Sequence, residues 1–202
     1  MEGHAQKRTH HEGRHHRATT LTLACRNPSD AKTMNFVKDT PLGKGLFSKK
    51  DIKRGEKILK FSGPIVNGKE ALRRDLKKYG RELGNALQVG KNRYIYLQDP
   101  GRIVNHSCNP NAGIKDDVFL VAIKNITKGK QIIWDYATSM DEDYPGNHAW
   151  TMKCKCRSKF CRKIVKDFKY LPKKLQQKYL QLGIVQKFIS KKYKTIITGT
   201  YK

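Results

Sequence analysis

A mainly β fold with short helices follows from three features of the 202-residue sequence. Apolar runs are short, clusters of Gly, Pro, Asn and Asp separate them, and only two stretches space apolar residues three or four apart. A chain of this length fits one domain of ordinary size plus appendages. Lys and Arg number 43 against 17 Asp and Glu, a formal charge of +26. Such a surface attracts polyanions, whether nucleic acid, anionic membrane or acidic protein, and salt weakens the attraction. Hydrophobic residues make up 37%, so part of the chain is expected outside the packed core.

Residues 1–33 mix His4, His10, His11, His15 and His16 with Arg8, Arg14 and Arg17 and offer little to bury, so a disordered basic arm is expected. Metal or nucleic-acid binding is one reading of that composition and a solvated leader is the other. Leu21, Leu23, Ala24 and Cys25 follow basic residues, but this apolar stretch is far shorter than the ~7 to 15 residues of a signal peptide. No run approaches the ~20 residues of a membrane-spanning helix, and a soluble, intracellular setting is expected.

Met34, Phe36 and Val37 open an edge strand, and residues 40–45 (Thr, Pro, Leu, Gly, Lys, Gly) are loop chemistry before Leu46 and Phe47. Residues 57–61 read as a strand ended by Ser62, Gly63 and Pro64. Leu72, Leu76 and Tyr79 predict a helix over 69–79. Residues 86–89, 94–97, 118–123 and 131–134 read as further short strands. The connections 51–55 and 124–129 share one form, a polar turn ending in Gly before a strand. After Pro172 a second helix places Leu175, Tyr179 and Leu182 on one face, with Gly183 to stop it. The remainder carries Lys187, Lys191, Lys192, Lys194 and Lys202 without an acidic residue, which reads either as a solvated tail or as a nucleic-acid contact.

Three of the five cysteines, Cys154, Cys156 and Cys161, form a Cys-x-Cys-x4-Cys cluster in a basic segment. That is too crowded for independent disulfides, and neighbouring Lys and Arg favour thiolates, so a tetrahedral zinc site short of one ligand is expected. Cys108 is the natural fourth, which requires the fold to bring residue 108 to the C-terminal cluster, and Cys25 is left over in the arm. Four cysteines close the coordination sphere, so the metal is structural. Three reduced packing cysteines, or a zinc ribbon with a second knuckle elsewhere, are the rival readings.

Several segments, in order, resemble the SET-domain protein lysine methyltransferases. Gly43, Lys44, Gly45 and Leu46 are similar to the first motif of that family, and Phe61, Ser62 and Gly63 to its Tyr-x-Gly. Residues 105–111 (Asn, His, Ser, Cys, Asn, Pro, Asn) resemble its most specific signature. Trp134, Asp135 and Tyr136 are similar to its Phe/Tyr-Asp-Tyr, and the three late cysteines to its post-SET cluster. Residues 86–90 and 150–154 resemble bacterial members. The Gly43-x-Gly45 pair does not announce a Rossmann fold, because the third Gly and the following helix are missing.

The resemblance implies the SET fold: small curved sheets, with the Asn105 segment threaded through a later loop as a pseudoknot. It divides the chain into the arm at 1–33, a SET domain at 34–140, a post-SET zinc segment at 141–166 and a basic helical tail at 167–202. It implies methyl transfer from S-adenosylmethionine to a lysine side chain of a protein, with one structural zinc. Lys44, Gly45, Leu46, Asn105 and His106 would hold the donor, Tyr136 would be catalytic, Phe61 and Trp134 would wall the substrate channel, and Cys108, Cys154, Cys156 and Cys161 would bind the metal. A histone or another basic, nucleic-acid-associated protein is the expected substrate, with the basic arms gripping nucleic acid. Phe61 lacks the hydroxyl common at its position, Lys130 and Gln131 replace two acidic residues, and bulky Trp134 implies a tight pocket and fewer methyl groups. A non-catalytic nucleic-acid-binding protein with a degenerate SET body is the alternative.

Overall fold

The computed structural model describes residues 35–80, 84–141, 143–144, 148–149 and 151–198. The histidine-rich arm, Cys25, Trp150 and Lys202 lie outside the described residues. The chain builds small sheets instead of one large one. Strand β1 (Asn35–Thr40) pairs antiparallel with β2 (Gly43–Ser48), with Thr40 opposite Gly43. The expected loop over 40–45 is therefore a tight hairpin, whose chain reversal Gly43 permits at φ +95. Strand β3 (Lys57–Lys60) leads to β4 (Ile65–Val66) and then to helix α1 (Gly68–Tyr79).

The ends of α1 are satisfied locally. The Asn67 side chain accepts the Glu70 N–H, and Gly80 in the left-handed region donates to the Leu76 carbonyl. Strands β5 (Ala86–Gly90) and β6 (Arg93–Tyr96) complete an antiparallel sheet in the order β4-β6-β5. The helix docks on it through Ala71 and through Asp75, whose buried carboxylate accepts from Tyr96 Oη at 2.9 Å and Asn85 Nδ2 at 2.9 Å. Next come β7 (Asn105–His106), β8 (Ala112–Lys115), β9 (Phe119–Ala122) and β10 (Ile133–Trp134). Strands β3, β9 and β8 form a second three-stranded sheet.

The two look-alike turns face each other: Ile52 bridges Ile126, both buried, and Gly55 and Gly129 adopt φ +89 and +78. Leu46, Ile58, Phe61, Ile114, Leu120, Ile132 and Trp134 fill the main core.

Strands β11 (Asp143–Tyr144) and β12 (His148–Ala149) pair before β13 (Thr151–Lys153), which pairs antiparallel with β14 (Ile164–Lys166). Helices α2 (Lys173–Gln181) and α3 (Lys187–Thr198) follow. The solvated-tail reading of the C-terminal lysines is corrected here: Ile184, Val185 and Ile189 are buried in a second core with Val165, Phe168 and Tyr179. A Cβ on Gly113 of β8 would collide with Ile184, so the segment linking α2 and α3 lies tight against that strand. Among the described residues, no helix is long and apolar enough to cross a membrane.

Candidate active site and metal cluster

The site is built where β7 runs parallel to β10, with Ile133 opposite Asn105 and Trp134 opposite His106. Such a pairing crosses segments far apart in sequence, so side chains must hold it. Asn111 does so: its Nδ2 donates to the Gln131 carbonyl at 2.8 Å and its Oδ1 accepts from Ile133 N at 3.0 Å. Ser107 N–H adds a bond to the Trp134 carbonyl.

Tyr136 follows β10, and its hydroxyl donates to the Val104 carbonyl at 2.9 Å. Its ring lies edge-on to His106 at 5.2 Å and tilted against Trp134 at 4.9 Å. Burial pushes the phenol pKa well above its ordinary value, partly opposed by the His106 main-chain N–H, so Tyr136 is a neutral O–H donor near pH 7. His106 is buried, and Tyr136 is partly so. Desolvation lowers its pKa to about 4, with Asp135 opposing and Arg162 reinforcing, so the ring is neutral. Its Nδ1 accepts the Tyr136 N–H at 3.2 Å, which assigns the proton to Nε2, 3.3 Å from Cys108 Sγ. The Asp135 carboxylate, 3.6 Å from Nδ1, is beyond hydrogen-bond reach.

A cleft of about 170 Å³ opens on one side of this pair, lined by Thr40, Pro41, Leu42, Asn105, His106, Gln131, Ile133, Lys155, Cys156 and Arg157. Of the five residues expected to hold the methyl donor, Asn105 and His106 line it. Lys44 instead offers its carbonyl to Asn105 Nδ2 at 3.0 Å, and Leu46 belongs to the main core. Gly45 is buried beside them, and a Cβ there would collide with the Gln131 amide and crowd Asn105. The sequence reading missed Gln131 as a lining residue and, from the cysteine segment, Lys155 and Arg157. The lining fits S-adenosylmethionine in its chemistry, with cations for a carboxylate, carboxamides for an ammonium, and Leu42 and Ile133 for a flat base.

A second, narrower pocket of about 40 Å³ is lined by Trp134 and Tyr136 together with Leu87, Tyr94, Leu97, Met140, Ala71 and Asp75, and is called the chamber below. It is small, with room for only a few water-sized groups. The contact between His106 and Tyr136 thus joins cleft to chamber. Trp134 Nε1 is buried with no hydrogen-bond partner among the described residues. Phe61 packs against Trp134 at 5.7 Å and buttresses it without lining the chamber.

The fold brings Cys108 to the late cysteines. Its Sγ is 3.7 Å from that of Cys154, close to the ~3.8 Å edge of a tetrahedron with metal–sulfur bonds of about 2.3 Å. His106, Cys108, Cys154 and Cys156 place ligand atoms within 4.8 Å of one another. Cys161 adjoins them, with its Sγ 3.8 Å from the Cys154 carbonyl and its thiol interacting with those of Cys154 and Cys156. Burial pushes the Cys108 and Cys154 thiols up. It acts likewise on Cys156, but N–H groups of Cys108 and Ser158 and the neighbouring thiols outweigh it and bring that thiol to about 7. This thiol-rich, closed cluster could hold a zinc ion.

One lock ties the cluster to the body. Arg162 forms a two-pronged pair with buried Asp135, both bonds at 2.7 Å, while Tyr179 of α2 donates to the same carboxylate at 3.0 Å. The Arg162 main-chain N–H reaches Cys108 Sγ at 3.4 Å. Asp135 stood in the Trp-Asp-Tyr motif, but its partners, 27 and 44 residues away, left no local signal.

The SET domain family matches residues 43–137. Curated relatives include histone-lysine N-methyltransferase trithorax of Drosophila virilis, 26% identical over 134 residues, covering 61% of this chain and 3% of that protein. The H3 lysine-9 specific KMT1 of Fusarium mangiferae is 29% identical over 159 residues, covering 61% and 45%. Dim-5 of Neurospora crassa is 28% identical over 150 residues, covering 55% and 44%. The chain thus spans less than half the length of each of these relatives. Among solved structures, the Chaetomium thermophilum polycomb repressive complex 2 aligns with a TM-score of 0.45 and 20% identity, over 56% of this chain and 16% of that one. The match to the SET domain over residues 43–137 spans both the signature at residues 105–111 and the parallel pairing of β7 with β10.

Proposed function

We propose that the protein transfers methyl groups from S-adenosylmethionine to the side-chain amine of a lysine in a protein substrate. The observation that carries this reading is the aromatic junction: His106 lines the cleft, Tyr136 lines the chamber, and their rings touch. The donor, held in the cleft, supplies an electrophilic methyl group. Asn105 and His106 orient it, and the cations of Lys155 and Arg157 meet its carboxylate.

The chamber receives the lysine. A free lysine amine has a pKa near ~10.4 and is almost wholly protonated at neutral pH. The apolar residues Leu87, Leu97, Trp134 and Met140 disfavour the ammonium, while the Asp75 carboxylate in the same lining, already accepting from Tyr96 and Asn85, opposes them in part; the amine reacts from its neutral form. Tyr136 keeps its proton and so acts through its hydroxyl dipole at the junction, not as a phenolate base. Positioning then accounts for most of the acceleration. The small chamber and the unpartnered indole N–H of Trp134 favour products with few methyl groups.

Zinc is proposed on Cys108, Cys154, Cys156 and Cys161, because the Nε2 proton of His106 faces the cluster and leaves that nitrogen no lone pair to give. In this role His106 donates to the Cys108 sulfur and steadies it. The division at residues 33, 140 and 166 is kept as part of the proposal. The relatives' names point to a histone or similarly basic protein as substrate, and the basic arms would add affinity for the nucleic acid around it.

The decisive experiment compares wild type with Tyr136→Phe by calorimetry with S-adenosylmethionine and by radiolabel transfer to a histone mixture. Both proteins should bind the donor, and transfer by the variant should fall at least about 100-fold. Donor binding by wild type without transfer to any protein would favour the non-catalytic alternative.

A further inference from the structure

A concave site unrelated to methyl transfer lies behind the cluster. A groove of about 430 Å³ runs between the loop after β7, the cysteine segment and helix α2. Its floor is apolar, with Pro110, Ile123 and Leu175, and Phe160 forms one wall while remaining 57% exposed. Exposed Arg54, Lys124 and Lys178 contribute cations, and among the described residues no carboxylate lines it. Arg162, also in the lining, is already spent on Asp135. Lys159 Nζ sits 5.2 Å over the Phe160 ring.

The same segment shows a second surface of this kind. Ile164 and Lys166 face outward from β14, and Lys166 and Lys169 each hold Nζ 5.3 Å over the ring of Tyr170, itself 51% exposed. Asp167, the only acidic residue between positions 151 and 202, is fully buried.

Exposed flat rings flanked by cations, beside an apolar groove without acid groups, are what a single-stranded nucleic acid requires: rings stack bases and cations meet phosphates. We infer that this groove binds single-stranded nucleic acid, one base stacking on Phe160 while Arg54, Lys124 and Lys178 hold the backbone. A duplex keeps its bases stacked and cannot place one on the groove floor. An acidic amphipathic peptide could satisfy the cations, but stacking on a half-exposed ring adds nothing for a carboxylate. The inference deepens the nucleic-acid part of the proposed function and relocates it from the arms to the cysteine segment. It is independent of methyl transfer.

The test uses the full zinc-loaded chain and a fluorescein-labelled oligothymidylate of about 20 nucleotides, read by anisotropy between about 50 and 250 mM salt. Lys124→Gln/Lys178→Gln should weaken binding at least about 10-fold at low salt and reduce the slope of log affinity against log salt by about 1.4, or 0.7 for each lost phosphate contact. Phe160→Ala should weaken binding about 5-fold or more and leave that slope unchanged. Lys128→Gln/Lys130→Gln, which removes the same charge from a turn elsewhere, should change affinity less than about 3-fold. Melting curves and zinc content establish that each variant is folded. The inference fails if both groove variants behave like the turn variant, which would leave binding to the arms, or if polyglutamate displaces the oligonucleotide at equal charge concentration. Donor binding measured on the same variants keeps failure here separate from failure of the methyltransferase reading.

Discussion

Replacing Arg162 by Met removes one guanidinium and leaves its carboxylate partner in place. Asp135 is 1% exposed and receives two 2.7 Å bonds from Arg162, one of 3.0 Å from Tyr179 and one of 3.2 Å from Ala137 N–H. The methionine keeps most of the apolar stem, so the loss is electrostatic. Stranding a buried charge by deleting its partner costs about 3 to 5 kcal/mol. The Arg162 side chain is 17% exposed and Tyr179 remains, so the lower end of that range, about 3 kcal/mol, is expected. Urea unfolding of the zinc-loaded protein, followed by far-ultraviolet circular dichroism, measures it. Lys163→Met, an exposed neighbour carrying the same charge, should stay within about 0.5 kcal/mol of wild type. In a double-mutant cycle, Asp135→Asn combined with Arg162→Met should cost clearly less than the sum of the single changes. Additive losses, or an Arg162→Met effect below about 1 kcal/mol, would refute the claim that this pair holds the cysteine segment to the SET body.

Cys161→Ser should lower bound zinc below one per chain by metal analysis, while His106→Gln should retain it; the opposite pattern would make His106 the ligand. Trp134→Phe should shift products towards higher methylation, read as mass increments on the substrate lysine, and an unchanged distribution would remove the indole from product control. Glu70, paired with Arg73 at 2.6 Å and Arg74 at 2.7 Å, has its carboxyl lowered to about 2, first by the Arg73 hydrogen bond and then by that of Arg74. A depressed native pKa makes the stabilisation full above the ordinary value near 4.5 and removes it as pH falls towards 2. The melting-temperature gap between wild type and Glu70→Gln should therefore close across that window, and a gap that widens on acidification would contradict the assignment.

What could be read in the sequence was whatever lies contiguous along the chain. Residues 105–111 carry their roles within seven positions, and the spacing of Cys154, Cys156 and Cys161 carried the metal reading, including the demand that Cys108 come to meet them. Helix α1 was legible from Leu72, Leu76 and Tyr79, but the structure buries Gly68, Ala71 and Asp75 and leaves Leu76 exposed, and the caps at Asn67 and Gly80 went unread. Strand β2 was mistaken in its first half because Gly43, Lys44 and Gly45 read as a turn by composition, whereas register with β1 makes them strand. The C-terminal segment misled for the opposite reason. Its lysines dominate the composition, but Ile184, Val185 and Ile189 face inward, and burial is decided by those few positions. Lys155 and Arg157 at the cleft, and Arg162 against Asp135, depend on where a distant hairpin lands, which no local pattern encodes.

Cys156 belongs both to the sulfur cluster and to the wall of the cleft. The small-molecule site is thus completed by a segment synthesised after both motifs that form the aromatic junction. A nascent chain that has exposed every residue up to Lys153 already contains the aromatic junction but lacks one side of the cleft. Translation products cut short in that interval would carry the signature motif without a closed binding site, and competence would arrive in one step as the last sulfurs emerge and capture an ion.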